Sequence, residues 1–412
     1  FFFQAEDGIR DVLGSRGIGD VYKRQFLAVQ ELVNKGLIMA GHDISAGGLI
    51  TTLLEMCFSN MEGGMEISLN KIKEDDIIKI LFAENPGIVI QVKDKHKEEV
   101  KKILEDAGIG YVKLGKPTEE RHILVEKGDA TYQLGIDYLR DVWYSTSYLL
   151  DRKQSMNGCA KKRFENYKKQ PLEFVFDKSF TGKLSQFGLN PDRRTPTGIK
   201  AAIIREKGTN GEREMAYMLY LAGFDVKDVT MTDLVSGRET LEDINFIVFC
   251  GGFSNSDVLG SAKGWAGAFL FNPKAKAALD NFYARKDTLS LGVCNGCQLM
   301  IELNLINPDF TKKAKMLHND SHKFESKFVG VTVPMNRSVM FGSLSGSKLG
   351  IWVAHGEGKF SLPYHEDKYN VVLKYSYDEY PGNPNGSDYS VAGLASPCLL
   401  YTSPSPRDPK TS

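Results

Sequence analysis

A cysteine with a glycine on either side stands in the segment LGVCNGCQ, residues 291–298. An apolar strand pattern ends at Val293 and a helical pattern begins near Gln298, so Cys294 occupies a strand-to-helix turn. Turns of this kind need flanking glycines and hold the central side chain in a strained position, as in a nucleophile elbow. The start of a helix favours a thiolate, and the backbone N–H of Asn295 can receive an oxyanion. The spacing therefore predicts a cysteine nucleophile.

The same segment also forms a C-x-x-C motif with Cys294 and Cys297, which leaves two alternatives open. Such a pair can be redox-active or can supply half of a zinc site. The sequence holds no second C-x-x-C motif and no nearby Cys/His pair that would complete a zinc site. Redox pairs of this type usually begin the helix after the first strand of a small domain. We therefore favour a nucleophile over a redox or structural pair and predict no metal site.

The histidine best placed to act as a base is His355, which ends the apolar strand pattern GIWVAH. Strand alternation puts His355 and Glu357 on one side of an extended segment, so the carboxylate can orient the imidazole as in a triad. A satisfied surface histidine is the competing interpretation. His318 and His322 are rival bases, or a metal pair if their segment is helical.

A glycine-rich turn, CGGFSNSDVLGSAKGWA from residue 250, follows a buried strand pattern in the same domain. Backbone N–H groups in such a turn can bind an oxyanion or a substrate carboxylate. The turn is not a Walker loop, because the sequence contains no G-x-x-x-x-G-K-[ST]. We expect it to complete the site around the cysteine.

Strand and helix patterns alternate from residue 198 onward, which predicts an α/β domain with a mostly parallel sheet and helices on both faces over 198–397. A smaller α+β module is expected over 26–130. Between them, residues 131–197 are expected to be a connector with one aromatic helix, LRDVWYSTSYLLDRK, followed by a solvated basic run, AKKRFENYKKQ.

The composition excludes several functional classes. The 412 residues contain 52 Lys+Arg and 52 Asp+Glu, and this zero formal charge argues against nucleic-acid or membrane partners. No apolar run approaches the ~20 residues of a membrane span. Six cysteines are too few for a disulfide scaffold, so we expect a reducing, cytoplasmic location.

Several motifs in order resemble one enzyme family. G-x-C-x-G-x-Q, the GGFS turn and the late H-x-E resemble class I glutamine amidotransferases, which implies a flavodoxin-like fold. Together with NDSHKFES, WVAHGEGKF and YPGNPNGS, they resemble the glutaminase domain of the large, single-chain phosphoribosylformylglycinamidine synthase family. AGHDISAGGL, residues 40–49, resembles the glycine-rich loop of a C-terminal subdomain shared with aminoimidazole ribonucleotide synthetase. LRDVWYSTSYLL resembles the family's connector into the glutaminase.

The resemblance implies that Cys294 attacks the side-chain amide of L-glutamine, which gives a thioester and ammonia. His355 would carry the proton, Glu357 would orient His355, and Cys297 would be only a neighbour. The glutaminase would need no cofactor. The residues expected to bind the oxyanion or glutamine are Gly252, Phe253, Asn295, Gln298, Asn319 and Ser321.

In the complete enzyme, ammonia would pass to a synthetase site that uses ATP and Mg²⁺. There formylglycinamide ribonucleotide would become formylglycinamidine ribonucleotide, so the missing synthetase half is an expected partner. For His42, Asp43, Gly47 and Gly48, a phosphate contact and a turn-and-cap role both remain open. A catalytically silent amidotransferase-fold fragment is the alternative to an active enzyme.

The sequences at the two ends of the chain differ in pattern from the rest. Residues 1–25 and 398–412 resemble translated sequencing adapters, so we predict two non-native tails around a C-terminal fragment of a longer enzyme. Two departures from the family pattern lie near the site. Asn255-Ser256 stands where the family often has Tyr-Gly, and Lys323 stands where Arg is common.

Overall fold

The computed structural model of the protein describes residues 2–4 and 17–404. The chain divides into two compact units, Phe1–Ser147 and Tyr148–Ser412. The predicted tails fall partly outside the described residues, and their non-native origin stays a prediction.

The described part of the first unit contains one antiparallel sheet and one mixed sheet, each covered by helices. Its helices are α1 (Gly17–Asn34), α2 (Gly48–Phe58), α3 (Ile77–Phe82), α4 (Lys97–Asp106) and α5 (Ile136–Gln154), which runs past the unit boundary. Its strands are β1 (Phe2–Gln4), β2 (Ile38–Ile44), β3 (Gly64–Ser68), β4 (Gly87–Val92), β5 (Gly115–Thr118), β6 (His122–Lys127) and β7 (Ala130–Gly135). The sheet orders are β1-β4-β2 and β5-β3-β6-β7. Among the strands described for this unit, only the β3–β6 pair is parallel.

Amphipathic helices close the two cores of this unit. Helix α4 carries charges on one face and buries Val100, Ile103 and Leu104, whose spacing puts them on the other face. Helix α2 is more apolar and packs its buried face into the second core, which includes β3 and β6. The α+β architecture predicted for this module is confirmed.

The described part of the second unit is built around one large sheet. Its helices are α6 (Cys159–Asn166), α7 (Glu212–Leu221), α8 (Met231–Ser236), α9 (Lys263–Leu270), α10 (Pro273–Ala284) and α11 (Asn295–Glu302). Its strands are β8 (Lys200–Arg205), β9 (Thr209–Asn210), β10 (Asp225–Thr230), β11 (Phe246–Phe249), β12 (Gly251–Gly252), β13 (Leu289–Gly292), β14 (Lys315–Leu317), β15 (Glu325–Thr332), β16 (Lys348–His355), β17 (Lys359–Ser361), β18 (Asn370–Tyr375), β19 (Val391–Ala395) and β20 (Tyr401–Pro404).

The nine-stranded sheet has the order β10-β8-β11-β13-β20-β19-β18-β15-β16. The pairs from β10 to β20 are parallel, and those from β20 to β16 are antiparallel. Ala201 and Ile203 of β8 join the core cluster that contains α7, whereas Ala202 and Ile204 join the cluster that contains α8–α11. The predicted α/β domain with helices on both faces is confirmed, and its sheet is mixed because the later strands extend it antiparallel.

Three stretches outside the two predicted domains have defined structure. The predicted aromatic helix is present as α5, but the basic run after it forms α6 instead of a solvated linker. Strand β20 lies between β13 and β19, although its residues belong to a predicted tail. Among the described residues, no helix is long and apolar enough to cross a membrane.

Candidate active site

The turn between β13 and α11 has the geometry of a nucleophile elbow. Cys294 is the N-cap of α11, with φ 54° and ψ −109°, a conformation that costs energy for any residue with a side chain. An added Cβ at Gly292 would lie 2.4 Å from the carbonyl oxygen of Gly296. An added Cβ at Gly296 would lie 2.0 Å from the carbonyl oxygen of Phe249. Both glycines are therefore required for the close approach of α11 to the sheet.

The Cys294 thiol lies beside the end of β16. Its Sγ is 3.8 Å from the carbonyl oxygen of Ala354, the residue before His355. The cysteine is 7% exposed, so only a narrow face of it meets solvent. An added Cβ at Gly251 would lie 3.3 Å from the Cys294 Cβ, which shows that the glycine-rich turn also adjoins the elbow.

His355 is buried at the last position of β16 and is 3% exposed. Burial lowers the pKa of His355 to about 4, while the carboxylate of Glu325 acts in the opposite direction. The imidazole is therefore neutral at physiological pH and able to accept a proton. A satisfied surface histidine, the competing interpretation, does not fit this burial.

Asn319 fixes the backbone of the segment that follows β16. Its Nδ2 donates to the carbonyl oxygen of His355 at 2.7 Å, and its Oδ1 accepts from the N–H of Gly358 at 3.1 Å. Its backbone N–H donates to the carbonyl oxygen of Gly356 at 2.9 Å. Because the Asn319 side chain is fully buried, these bonds favour a positioning role, and its predicted contact with glutamine stays a prediction.

Glu357 lies in the same segment with its carboxylate directed at Ser261. Its Oε2 accepts from the backbone N–H of Ser261 at 3.3 Å, and its Oε1 is 3.9 Å from Nδ1 of His318. A role in orienting His355 stays a prediction. His318 is 68% exposed at its side chain, and its segment is not helical, so the helical metal pair with His322 is wrong.

The sequence analysis missed Asp257, which stands beside this carboxylate. Burial raises the pKa of Asp257, and the charge of Glu357 acts in the same direction. Asp257 follows Asn255 and Ser256, and all three have positive φ values of 50–56°. Left-handed backbone costs roughly 1–2 kcal/mol per such residue. The glycine-rich pattern from residue 250 and the departure from Tyr-Gly at 255–256 both pointed to this turn, but neither singled out Asp257.

The predicted backbone donors of the glycine-rich turn are arranged differently from expectation. The N–H of Phe253 donates to the carbonyl oxygen of Gly208 at 2.9 Å, so in this conformation it is not directed at the cysteine. Gly252 has φ 117°, and an added Cβ there would lie 2.7 Å from Gly208 O. The roles of Phe253 and Gly252 as oxyanion donors therefore stay predictions, and the Phe253 N–H would have to leave Gly208 to take up that role.

The polar side chains of α11 hold the turn and the following segment together. Asn295 accepts from the N–H of Ser254 at 3.1 Å and donates to Oε1 of Gln298 at 2.9 Å. Gln298 donates in turn to the carbonyl oxygen of Glu357 at 2.7 Å. Ser321 donates to the carboxylate of Glu325. All of these side chains are buried, so contacts of Gln298 and Ser321 with glutamine stay predictions.

The other cysteine of the C-x-x-C motif has a different environment. Cys297 is fully buried in the core cluster that contains α8–α11, whereas Cys294 belongs to the cluster on the side of α7. This separation disfavours a redox pair. It makes Cys297 a packing residue of α11.

The predicted phosphate-binding turn lies in the first unit, between β2 and α2. The N–H of Gly47 donates to a carboxylate oxygen of Glu84 at 2.8 Å, which occupies a donor that a phosphate would use. Nε2 of His42 is 3.0 Å from the Glu55 carboxylate, and Asp43 accepts from Thr52 through its backbone carbonyl. These contacts favour the turn-and-cap interpretation, and phosphate binding stays a prediction.

Comparison with known proteins bears on both units. Residues 198–398 match the CobB/CobQ-like glutamine amidotransferase domain, and residues 4–127 match the C-terminal domain of AIR synthase related proteins. A phosphoribosylformylglycinamidine synthase of Arabidopsis thaliana, described as probable and chloroplastic/mitochondrial, is 36% identical over 402 residues. That match covers 91% of this chain and 28% of the relative. The Homo sapiens phosphoribosylformylglycinamidine synthase is 36% identical over 408 residues, covering 90% of this chain and 30% of the relative.

A solved structure titled PurLQS from Thermotoga maritima shares 27% identity with this chain. It covers 51% of this chain and 88% of its own, with a TM-score of 0.41.

The fold and the site define a glutamine amidotransferase domain that shares its chain with an AIR-synthase-related C-terminal domain. The chain belongs to the phosphoribosylformylglycinamidine synthase family. It spans 28–30% of the length of these curated relatives.

Proposed function

We propose that residues 198–398 hydrolyse L-glutamine through a covalent thioester on Cys294. The observation that carries this proposal is the elbow itself. A buried, conformationally strained cysteine stands at the start of α11, with its sulfur 3.8 Å from the strand end that bears His355. Strain on a residue that has a side chain is stored where a reactive group must be held in place.

The chemistry requires the thiol, the imidazole and one water molecule. The thiol gives its proton to His355 as the sulfur attacks the carboxamide carbon of glutamine. The carbon–nitrogen bond then breaks, and the imidazolium returns the proton to the leaving nitrogen, so ammonia departs and a γ-glutamyl thioester remains. Water attacks this thioester while His355 accepts its proton, and the proton returns to the sulfur as glutamate leaves.

Burial sets the protonation state of His355 before the first step. A pKa of about 4 keeps the imidazole deprotonated at neutral pH, so the resting site already contains the base. The developing oxyanion would be stabilised by the backbone N–H of Asn295 and by a donor of the turn that contains Gly252. We keep Glu357 as the proposed orienting residue.

For the whole enzyme, family membership supports a purine-pathway ligase. Ammonia released at Cys294 would be delivered to a synthetase site that uses ATP and Mg²⁺ to convert formylglycinamide ribonucleotide to its amidine. We propose that most of that site is formed by a part of the enzyme that this chain does not include, since the chain spans 28% of the Arabidopsis thaliana relative. A cytoplasmic location remains our proposal.

One observation favours a second candidate, a glutaminase that is silent in isolation. The N–H of Phe253 is bonded to Gly208, so the glycine-rich turn offers one donor fewer than expected to an oxyanion. Oxyanion donors contribute on the order of 10²–10³-fold to rate. Contact with the synthetase part would then be needed to release the turn.

Glutamate release distinguishes these candidates. The protein is assayed with glutamine alone and with a synthetase part from a relative supplied in trans. Activity that Cys294→Ser abolishes and Cys297→Ser preserves supports the proposed glutaminase. Activity only with the added synthetase part supports the silent form. Activity that survives Cys294→Ser would contradict both.

A further inference from the structure

A cluster of charged side chains in the second unit surrounds Glu325, the first residue of β15. Glu325 is 1% exposed, and burial of a carboxylate this complete requires paired partners. Its Oε2 lies 2.7 Å from Nζ of Lys327 and accepts from Nη2 of Arg163 at 3.3 Å. Its Oε1 accepts from the hydroxyl of Tyr380 at 2.9 Å and from Ser321. These contacts hold Glu325 in its charged form, with a lowered pKa.

Glu325 is also the direct cross-strand partner of His355. The two residues stand opposite each other in the antiparallel pair β15–β16, so their side chains project from the same face of the sheet. Both are nearly inaccessible to solvent, and charges interact strongly in such surroundings. Two ionisable groups close to His355 in the described structure are Cys294, whose Sγ lies 3.8 Å from the carbonyl oxygen of Ala354, and Glu357, two residues further along the chain.

One of the two cationic partners of Glu325 comes from the connector, and the other, Lys327, lies on β15 itself. Arg163 lies on α6, outside the amidotransferase match, and its Nη1 is 2.9 Å from the Asp151 carboxylate at the end of α5. Asp151 also accepts from Lys323, which precedes β15. The connector therefore reaches both the carboxylate opposite His355 and the loop that leads to it.

Backbone contacts reinforce this connection. The N–H of Met156 donates to the carbonyl oxygen of Ser321 at 2.9 Å, and Nδ2 of Asn157 donates to that of Asp320 at 2.7 Å. These two acceptors directly follow Asn319, whose side chain holds the backbone at His355. A change in the position of the connector would therefore move the loop that contains Asn319, and with it the backbone at His355.

We propose that Glu325 is a positioning residue for His355, and that Arg163 of the connector controls how much of the Glu325 charge acts on the imidazole. The inference rests on the proposed role of His355 as the base. With Arg163 in place, the carboxylate is compensated and His355 stays neutral. Without Arg163, Glu325 keeps Lys327 as a cationic partner, but more of its charge acts on the imidazole. The imidazolium, which cannot accept the thiol proton, would then persist to higher pH. A buried ion pair of this kind rarely adds net stability, so a functional role is the stronger reason for it.

Two substitutions are expected to have opposite effects. Arg163→Gln should raise the pH midpoint of His355 protonation, because the Glu325 charge is then less compensated. Glu325→Gln should lower it, because the negative charge is gone. A shift of about one pH unit in each direction is expected for a carboxylate and an imidazole that face each other across neighbouring strands. Arg163→Lys should stay close to the wild type.

The midpoint is measured by NMR on protein labelled at histidine, with His355→Gln used to assign the signal, and compared with the pH profile of glutamate release. Arg205→Gln is the matched control, since Arg205 forms an ion pair with Asp228 near the far edge of the sheet. That variant should leave the midpoint unchanged. Circular dichroism verifies that each variant is folded.

Unchanged midpoints in folded Arg163→Gln and Glu325→Gln, or shifts in the same direction, would overturn the inference. If Glu325→Gln does not fold, the comparison of the His355 midpoint between Arg163→Gln and Arg163→Lys is the test. Equal midpoints in these two variants would then overturn the inference. Failure of the proposed function looks different, because His355→Gln would then release glutamate as fast as the wild type.

Discussion

Two of the glycine-rich turns in the described part of the protein join a strand to a helix but place different residues at the helix start. In the second unit the N-cap of α11 is Cys294, a residue with a side chain in a strained conformation. In the first unit the N-cap of α2 is Gly47, with φ 85°, which glycine adopts without strain. The Gly47 N–H is capped by Glu84. A glycine-rich strand-to-helix turn therefore positions a thiol in the second unit and forms an ordinary helix N-terminus in the first.

The difference shows why glycine content alone does not identify a reactive site. At both turns a glycine allows two backbones to approach, since an added Cβ at Gly48 would lie 2.7 Å from the carbonyl carbon of Phe82. Of these two turns, only the elbow has a residue with a side chain in a strained conformation at the helix start. That cost, on the order of 1–3 kcal/mol, is explained if the cysteine does chemistry.

The largest expected effect on stability comes from replacing glycine by alanine where two backbones approach closely. Gly296→Ala should destabilise the second unit by about 3 kcal/mol or more, because the new Cβ would overlap Phe249 O. Gly48→Ala should destabilise the first unit by a similar amount. Urea unfolding measures both, and Gly110→Ala is the control because a Cβ there meets nothing within 4 Å.

Activity then separates the two turns. In folded protein, Gly296→Ala should reduce the rate of glutamine hydrolysis, whereas Gly48→Ala should leave that rate unchanged. Equal loss of hydrolysis in both variants would mean that the elbow has no special part in the reaction.

The features that sequence could predict are local ones. The elbow follows from glycines within two positions of Cys294, and His355 follows from its place at the end of an apolar strand. Other contacts of the site join residues far apart in the chain. They are the hydrogen bonds from Phe253 to Gly208, from Asn319 to His355 and from Arg163 to Glu325. No periodicity records such pairings, because they depend on which strands become neighbours.

The same reason explains the differences in the fold. Alternating strand and helix patterns predicted an α/β domain, but the direction of the later strands depends on connections that the pattern does not specify. The run AKKRFENYKKQ carries many charges and suggested solvent exposure, yet Arg163 within it is only 21% exposed because it reaches a buried carboxylate.

An intermediate effect on stability is expected when acid protonates His355, which lies beside the elbow. The pKa of His355 in the folded protein, about 4, lies below its unfolded value of roughly 6.5. Unfolded chains therefore bind more protons between these values, and stability should fall as pH drops from about 6.5 to about 4, by up to about 3 kcal/mol. His355→Gln should remove this part of the pH dependence in urea unfolding. A variant with the wild-type slope would show that His355 is not buried as described.

The smallest effect on stability is expected at Glu84, which caps the start of α2 in the first unit. Glu84→Gln should destabilise the first unit by about 0.5 kcal/mol, because a charged acceptor at the start of α2 is replaced by a neutral one. Inorganic phosphate tests the open alternative in the same variant. Protection from unfolding by phosphate in Glu84→Gln but not in the wild type would show that Glu84 occupies an anion site, and no protection in either would leave α2 with a cap only.

The most direct test of the central claim is to locate the covalent adduct. The protein is treated with 6-diazo-5-oxo-norleucine, a glutamine analogue that alkylates the nucleophile, and the modified peptide is identified by mass spectrometry. We predict one adduct on Cys294, prevented by excess glutamine and absent in Cys294→Ser. An adduct on Cys297 that persists in Cys294→Ser would contradict the assignment of Cys294 as the nucleophile.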